Sequence, residues 1–196
     1  MPSSTLIRWS GLAAMLGGVL WALWAVVVQS VGWGEPGSAA YERYELINRL
    51  LPLALLPVVV GFVGLHVAQR RRYGWLGTAG FVVVLAGFAI ILVGSAGEFW
   101  AFTEQGYALP NLRDVSWTLF LLGHPVLAVG ALLFGIATAR AQVFPGDVGM
   151  LFAVLGTCGA LIPFFGAFIF AFLLAWLGYL LWSSKYESDQ QLSGVR

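Results

Sequence analysis

Residues 117–139, WTLFLLGHPVLAVGALLFGIATA, run for 23 residues without a formal charge and stop at Arg140. A helix rises ~1.5 Å per residue and the hydrocarbon core of a bilayer is ~30 Å thick, so the run is long enough to cross a membrane. It also holds His124, one of two histidines in the chain, followed directly by Pro125. Outward from this stretch the sequence resolves into similar uncharged runs joined by short polar connections.

The composition agrees. Of 196 residues, 60% are hydrophobic and only 10% are charged, with a mean hydropathy of +0.87. Soluble domains carry roughly 25% charged residues, so this is the composition of an integral membrane protein whose first partner is the lipid bilayer. A net charge of +1 excludes nucleic acid as a partner, because no basic surface would neutralise phosphates. The lone Cys158 excludes an internal disulfide and a thiolate metal set. The chain therefore reads as an all-α polytopic bundle, one transmembrane domain over residues 1–196.

Spans are expected at 11–31, 50–69, 75–96, 117–139, 148–162 and 165–182. Residues 1–8 form a short polar leader ending at Arg8. The apolar run behind it exceeds the roughly 7–15 residues of a secretory signal, so it reads as a retained anchor. Gly-Trp-Gly-Glu-Pro-Gly at 32–37 ends the first helix, and Ser38 stands where an N-cap belongs. Trp33, Tyr41 and Tyr44 are placed as interface anchors. Kinks are expected at Pro52 and Pro57, since proline removes a backbone donor. A second polar loop, 97–116, carries Glu98, Glu104, Arg113 and Asp114 among Phe99, Trp100, Phe102 and Tyr107. After Arg140, a short connector holds Pro145 and Gly146.

The stretch 148–182 has no charge, and as one helix it would be ~52 Å long, too long for the bilayer. Pro163 and Gly166, within LIPFFG at 161–166, supply a break and hence six helices, with five as the alternative. In the six-helix topology one side holds Arg8, Arg70, Arg71, Arg72, Arg140, Lys185 and Arg196, and the other Arg43, Arg49 and Arg113. This asymmetry puts both termini in the cytoplasm.

Helices in lipid associate through small residues that let backbones approach. Ala14 with Gly18, Ala131 with Gly135, and Ala167 with Ala171 and Ala175 recur at spacing four and mark contacts inside the bundle, with a homo-oligomer seam as the alternative. Leu12-x-Ala14-x-Leu16-Gly17 returns as Leu151-x-Ala153-x-Leu155-Gly156, which suggests three hairpins in series, each pairing neighbouring spans.

Ionisable residues within a span are costly and are functional candidates by default. His124 lies about 10 Å below the outer surface by helical rise, where an imidazole relays protons, ligates a metal or simply bonds a neighbouring carbonyl. His66 lies near the other face of the second span and reads as an interfacial ring reaching headgroups. Glu42, Glu45, Asn48, Arg49, Glu98, Arg113 and Asp114 flank the outer ends of the spans. A closing bundle would gather them into a cup above His124, rimmed by Trp100 and Phe102, for a cation, a headgroup or an apolar ligand. The plainer alternative is a solvated rim of salt bridges. The candidate ligand-binding set is therefore His124, Glu98, Asn48, Arg49, Glu45 and Trp100. No HExxH or similar metal set occurs, no nucleophile has an evident base, and no cofactor, metal or catalytic residue is expected.

Three runs carry a resemblance. Arg8-Trp9-Ser10-Gly11 leads to Leu16-Gly17-Gly18-Val19-Leu20-Trp21; residues 135–141, GIATARA, precede Phe144-Pro145; and residues 176–182 read WLGYLLW. Together they resemble a loose group of bacterial six-helix membrane proteins, although Gly146-Asp147 stands where that group often has Arg-Trp. The resemblance implies six helices and no particular activity. Nine tryptophans also bring to mind the tryptophan-rich sensory proteins, whose Trp-Pro loop patterns this chain lacks. Three functions remain open: a non-catalytic component that packs against membrane partners, a small transporter or binder of an apolar or cationic ligand, or an intramembrane enzyme or cofactor carrier using His124.

Overall fold

A computed structural model of the chain describes residues 4–32, 34, 35, 37–102, 110–144, 146–162 and 165–183. Trp33, Pro36, Glu104, Tyr107, Pro145, Pro163, Phe164, Lys185 and Arg196, all named from the sequence, lie outside the described residues. The described residues are helical: α1 is Ser4–Val31, α2 Ala39–Asn48, α3 Leu51–Gln69 and α4 Gly74–Ala96. A π-helical turn, Gly97–Ala101, extends α4, and α5 is Pro110–Ala141. Then come α6 (Gly146–Leu151), a second π-helical turn (Phe152–Gly156), α7 (Thr157–Leu161) and α8 (Gly166–Trp182).

Four helical stretches are long and apolar enough to cross a membrane: Thr5–Val31, Ala39–Gln69, Gly74–Ala101 and Asn111–Ala141. Asp147–Leu161 and Gly166–Trp182 are shorter and also apolar. Large apolar side chains such as Leu53, Val82, Val93 and Phe172 stand outward at 57–69% exposure. An outer surface of that kind belongs in lipid. The chain is a multi-pass helical membrane protein.

Local chemistry explains the helix ends. Gly32 closes α1 at φ 71°, a backbone conformation that side-chain-bearing residues avoid. Ser38 caps α2, its hydroxyl accepting from the Tyr41 amide at 3.2 Å. Pro52 falls in the first turn of α3, where no intrahelical N–H bond is lost. Pro57 and Pro125 lie inside their helices.

Small residues set the packing. α1 runs antiparallel to α3, with Gly17 on Val58, Ala14 on Gly61 and Ser10 on Gly64. It also runs antiparallel to α8, with Gly11 on Gly178 and Gly18 on Ala171. The most extensive seam joins α4 to α5: Gly80, Gly87 and Gly94 face Phe134, Leu127 and Phe120, while Gly130 and Gly123 face Val84 and Ile91. Each glycine receives a large residue of the other helix at seven-residue intervals in both directions. α6 and the second π turn then lie on α5, Gly149 on Ala139 and Ala153 on Gly135. The helices thus close a ring in the order α3, α1, α8, α6–α7, α5, α4.

This corrects the picture of three hairpins in series. The first and second pairs form, but α8 lays its long face on α1 and touches α7 only locally. The small faces decide it, because the one α8 carries matches α1, while that of α6 and its π turn is used by α5. The apparent repeat also divides, its first copy in regular α-helix and its second in the π turn.

Aromatic rings fill the axis. Trp21, Phe62, Phe88, Phe134, Phe152 and Phe170 come one each from α1, α3, α4, α5, the second π turn and α8. Phe62 is central, 5.7 Å from Phe88 and Phe134, 5.8 Å from Phe152 and 6.2 Å from Phe170. Trp21 completes the plug at 5.4 Å from Phe170 and 6.0 Å from Phe88. The antiparallel registers bring Arg8, Arg70, Arg71, Arg72 and Arg140 to one end of the bundle. Glu42, Glu45, Glu98 and Asp114 stand at the other.

Candidate functional site

At the acid-bearing end α2, the first π turn and the start of α5 meet. The α2 residues Tyr41, Tyr44 and Asn48, at spacings three and four, share one buried face. The π turn buries two consecutive residues, Glu98 and Phe99. The Glu98 carboxylate accepts from Arg113 Nε at 2.8 Å, and the Arg113 guanidinium lies 5.3 Å from the centre of the Tyr41 ring. Tyr41 and Tyr44 stand 6.3 Å apart, and Tyr44 meets Phe99 edge-on at 5.7 Å. Arg49 Nε donates to the Phe99 carbonyl at 2.8 Å, and its Nη2 lies 3.9 Å from Glu45. These contacts form a loop from Tyr41 through Arg113, Glu98, Phe99 and Arg49 back to Glu45 on α2.

Several buried oxygens on this loop meet no hydrogen-bonding partner among the described residues: the Tyr41 hydroxyl, Glu45 Oε1, Asn48 Oδ1 and Glu98 Oε2. The Asn48 amide nitrogen donates to the Tyr44 carbonyl at 2.8 Å, which fixes Oδ1 as the free acceptor. Asn48 is 1% exposed and Glu98 is 6% exposed. Such atoms normally find a partner, since leaving one unmade costs about 1–3 kcal/mol.

His124 lies apart from this cluster. Eleven residues separate it from Arg113 on α5, about 16 Å along the helix, so the two do not form one cup. The imidazole Nδ1 donates to the Phe120 carbonyl at 2.9 Å, leaving Nε2 as an acceptor. It lines a cavity of about 10 Å³ with Trp21, Trp24, Leu51, Phe120 and Ile162. That is room for about one water molecule.

Other expectations change with the geometry. Trp100, in the same π turn as Glu98, is 61% exposed. His66 does not reach out to headgroups: its Nδ1 meets the Tyr73 hydroxyl and its ring stacks on Phe81 at 4.1 Å. Burial pushes the Tyr73 phenol up to about 12, against an opposing hydrogen bond with Thr78. It therefore holds its proton as donor to His66. Sequence reasoning missed the Phe99 carbonyl as the partner of Arg49, which no side-chain pattern announces. It also read Tyr41 only as an interface anchor, although its spacing to Tyr44 and Asn48 marked a shared face.

No family model and no solved structure matches the chain. A probable nitrate/nitrite antiporter, NarK1, from Thermus thermophilus is similar at 30% identity over 134 residues. The similar region covers 66% of this chain and 28% of the antiporter, so the chain spans less than a third of that relative's length.

Proposed function

We propose that the chain is a six-crossing, non-catalytic membrane component that works by packing and by docking to other membrane proteins. The aromatic plug carries this reading: six rings interlock across the axis and close it to a passing solute. The two shorter apolar helices lie along α5 and α1, which supports six crossings. The gathering of arginines at one end supports a cytoplasmic location for the N-terminal end of α1 and the C-terminal end of α8. Reconstitution into vesicles tests the reading. Nitrate, nitrite and small cations should cross no faster than through protein-free vesicles, and mild detergent should extract a defined complex. Flux above background, or a bare monomer with no partner, overturns it.

The similarity to an antiporter favours a second reading, a transporter or a part of one. Here the acid-bearing cluster of Glu45, Asn48, Arg49 and Glu98 receives an apolar or cationic ligand. Its test is ligand-dependent exchange in the same vesicles, abolished by substitutions in that cluster.

A further inference from the structure

The unpartnered oxygens have a shared chemistry. Glu45 Oε1, Asn48 Oδ1 and Glu98 Oε2 are all acceptors, so the missing partner supplies hydrogen-bond donors. Arg113 Nε is committed to Glu98, Arg49 Nε to the Phe99 carbonyl and the Asn48 amide to the Tyr44 carbonyl, and the unpartnered Tyr41 hydroxyl, with one O–H, can serve only one of the three acceptors. Charge points the same way: among the described residues Glu35, Glu42, Glu45, Glu98 and Asp114 outnumber Arg43, Arg49 and Arg113 by two at this end. Glu98 lies within electrostatic reach of Glu45 and Asp114, and Tyr44 within that of Glu98. An anion such as nitrate offers no donor and would face a row of acceptors. Tyr41 adds an aromatic wall that already receives one cation.

We propose that this cluster binds a primary ammonium group, whose three N–H bonds match Glu45 Oε1, Asn48 Oδ1 and Glu98 Oε2 beside the Tyr41 ring. The inference rests on the second functional reading and names its ligand class. Two sources present that chemistry at a membrane surface, an ethanolamine lipid headgroup and a soluble amine.

The test uses the full chain in phosphatidylcholine nanodiscs. Ethylamine at neutral pH should raise the thermal unfolding midpoint in a saturable way. Tetramethylammonium, equally charged but without N–H, should not, and neither should nitrate. Glu45→Gln should weaken ethylamine binding about tenfold and Asn48→Asp should tighten it about tenfold. Both variants leave the Glu98–Arg113 pair intact, and Glu45→Gln, at a side chain that is not fully buried, keeps the test decisive if the buried Asn48→Asp fails to fold. In mixed nanodiscs, selective retention of phosphatidylethanolamine that ethylamine displaces identifies the lipid as the source. An ethylamine shift without that selectivity identifies a soluble amine. No ethylamine shift, or an equal shift with tetramethylammonium, overturns the proposal. A different ligand retained on the purified protein would then spare the second reading, whereas no retained ligand at all removes both.

Discussion

Gly87 of α4 lies so close to Leu127 of α5 that a β-carbon on the glycine would stand 2.7 Å from the Leu127 amide nitrogen. The same closeness recurs at Gly80 and Gly130, where an added carbon would meet backbone nitrogen at 2.5 Å. Lipid gives helices no hydrophobic reason to associate, so this intimacy is what holds α4 to α5. Gly87→Ala should force the helices apart and cost about 1–3 kcal/mol in thermal unfolding in detergent. Gly156→Ala is the control, because its nearest neighbours would be 3.7 Å away, and it should change stability by less than about 0.5 kcal/mol.

Phe62 touches four other rings of the plug, and truncating it empties the axis. Phe62→Ala should destabilise by at least about 2 kcal/mol, chiefly through lost packing, since a membrane environment returns much of the transfer energy. Vesicles carrying this variant should leak small solutes faster than wild type. A tight variant would show that the plug is not the barrier.

Arg113 and Glu98 should fail singly and recover together. Arg113→Ala strands the 6%-exposed Glu98 carboxylate and should cost about 3–5 kcal/mol. Arg113→Met combined with Glu98→Leu removes both charges, and its stability should return to within about 1 kcal/mol of wild type. A double-mutant cycle on unfolding midpoints measures the coupling.

Tyr73 makes a prediction in alkali. Its phenol ionises at about 12 when folded against an ordinary value of 10.0. Below pH 10 both states hold the proton and the contribution is full. Between 10 and 12 only the unfolded chain loses it, so folding stability falls as pH rises. Melting curves of wild type should drop across that window more steeply than those of Tyr73→Phe, and parallel curves would contradict the assignment.

Much of the fold was legible because lipid imposes a simple rule: a backbone in oil must satisfy itself by coiling. Hence the uncharged runs at 50–69 and 75–96 became α3 and α4 within one residue at their ends. The paired heptads of glycine at 80, 87 and 94 and at 123 and 130 were also visible, although spacings of three and four, not seven, are the usual mark of a helix contact. The placement of α8 on α1 was not legible, because which small face meets which depends on all helices at once. The site was half legible. Its acids and arginines were named, but the π turn that buries Glu98 and leaves Trp100 exposed, and the carbonyl that captures Arg49, are backbone events without a sequence signature.

The α1–α8 seam has a consequence for biosynthesis. α1 is made about 135 residues before α8, so their seam forms only after every helix between them has emerged. At roughly 5–20 residues per second that delay is of the order of ten seconds. Throughout it, Gly11 and Gly18 of the nascent chain, which meet α8 in the finished fold, face bare lipid, open to insertion chaperones or to a neighbouring copy. Translation stalled before residue 166 would leave an unsealed ring for membrane proteases to clear.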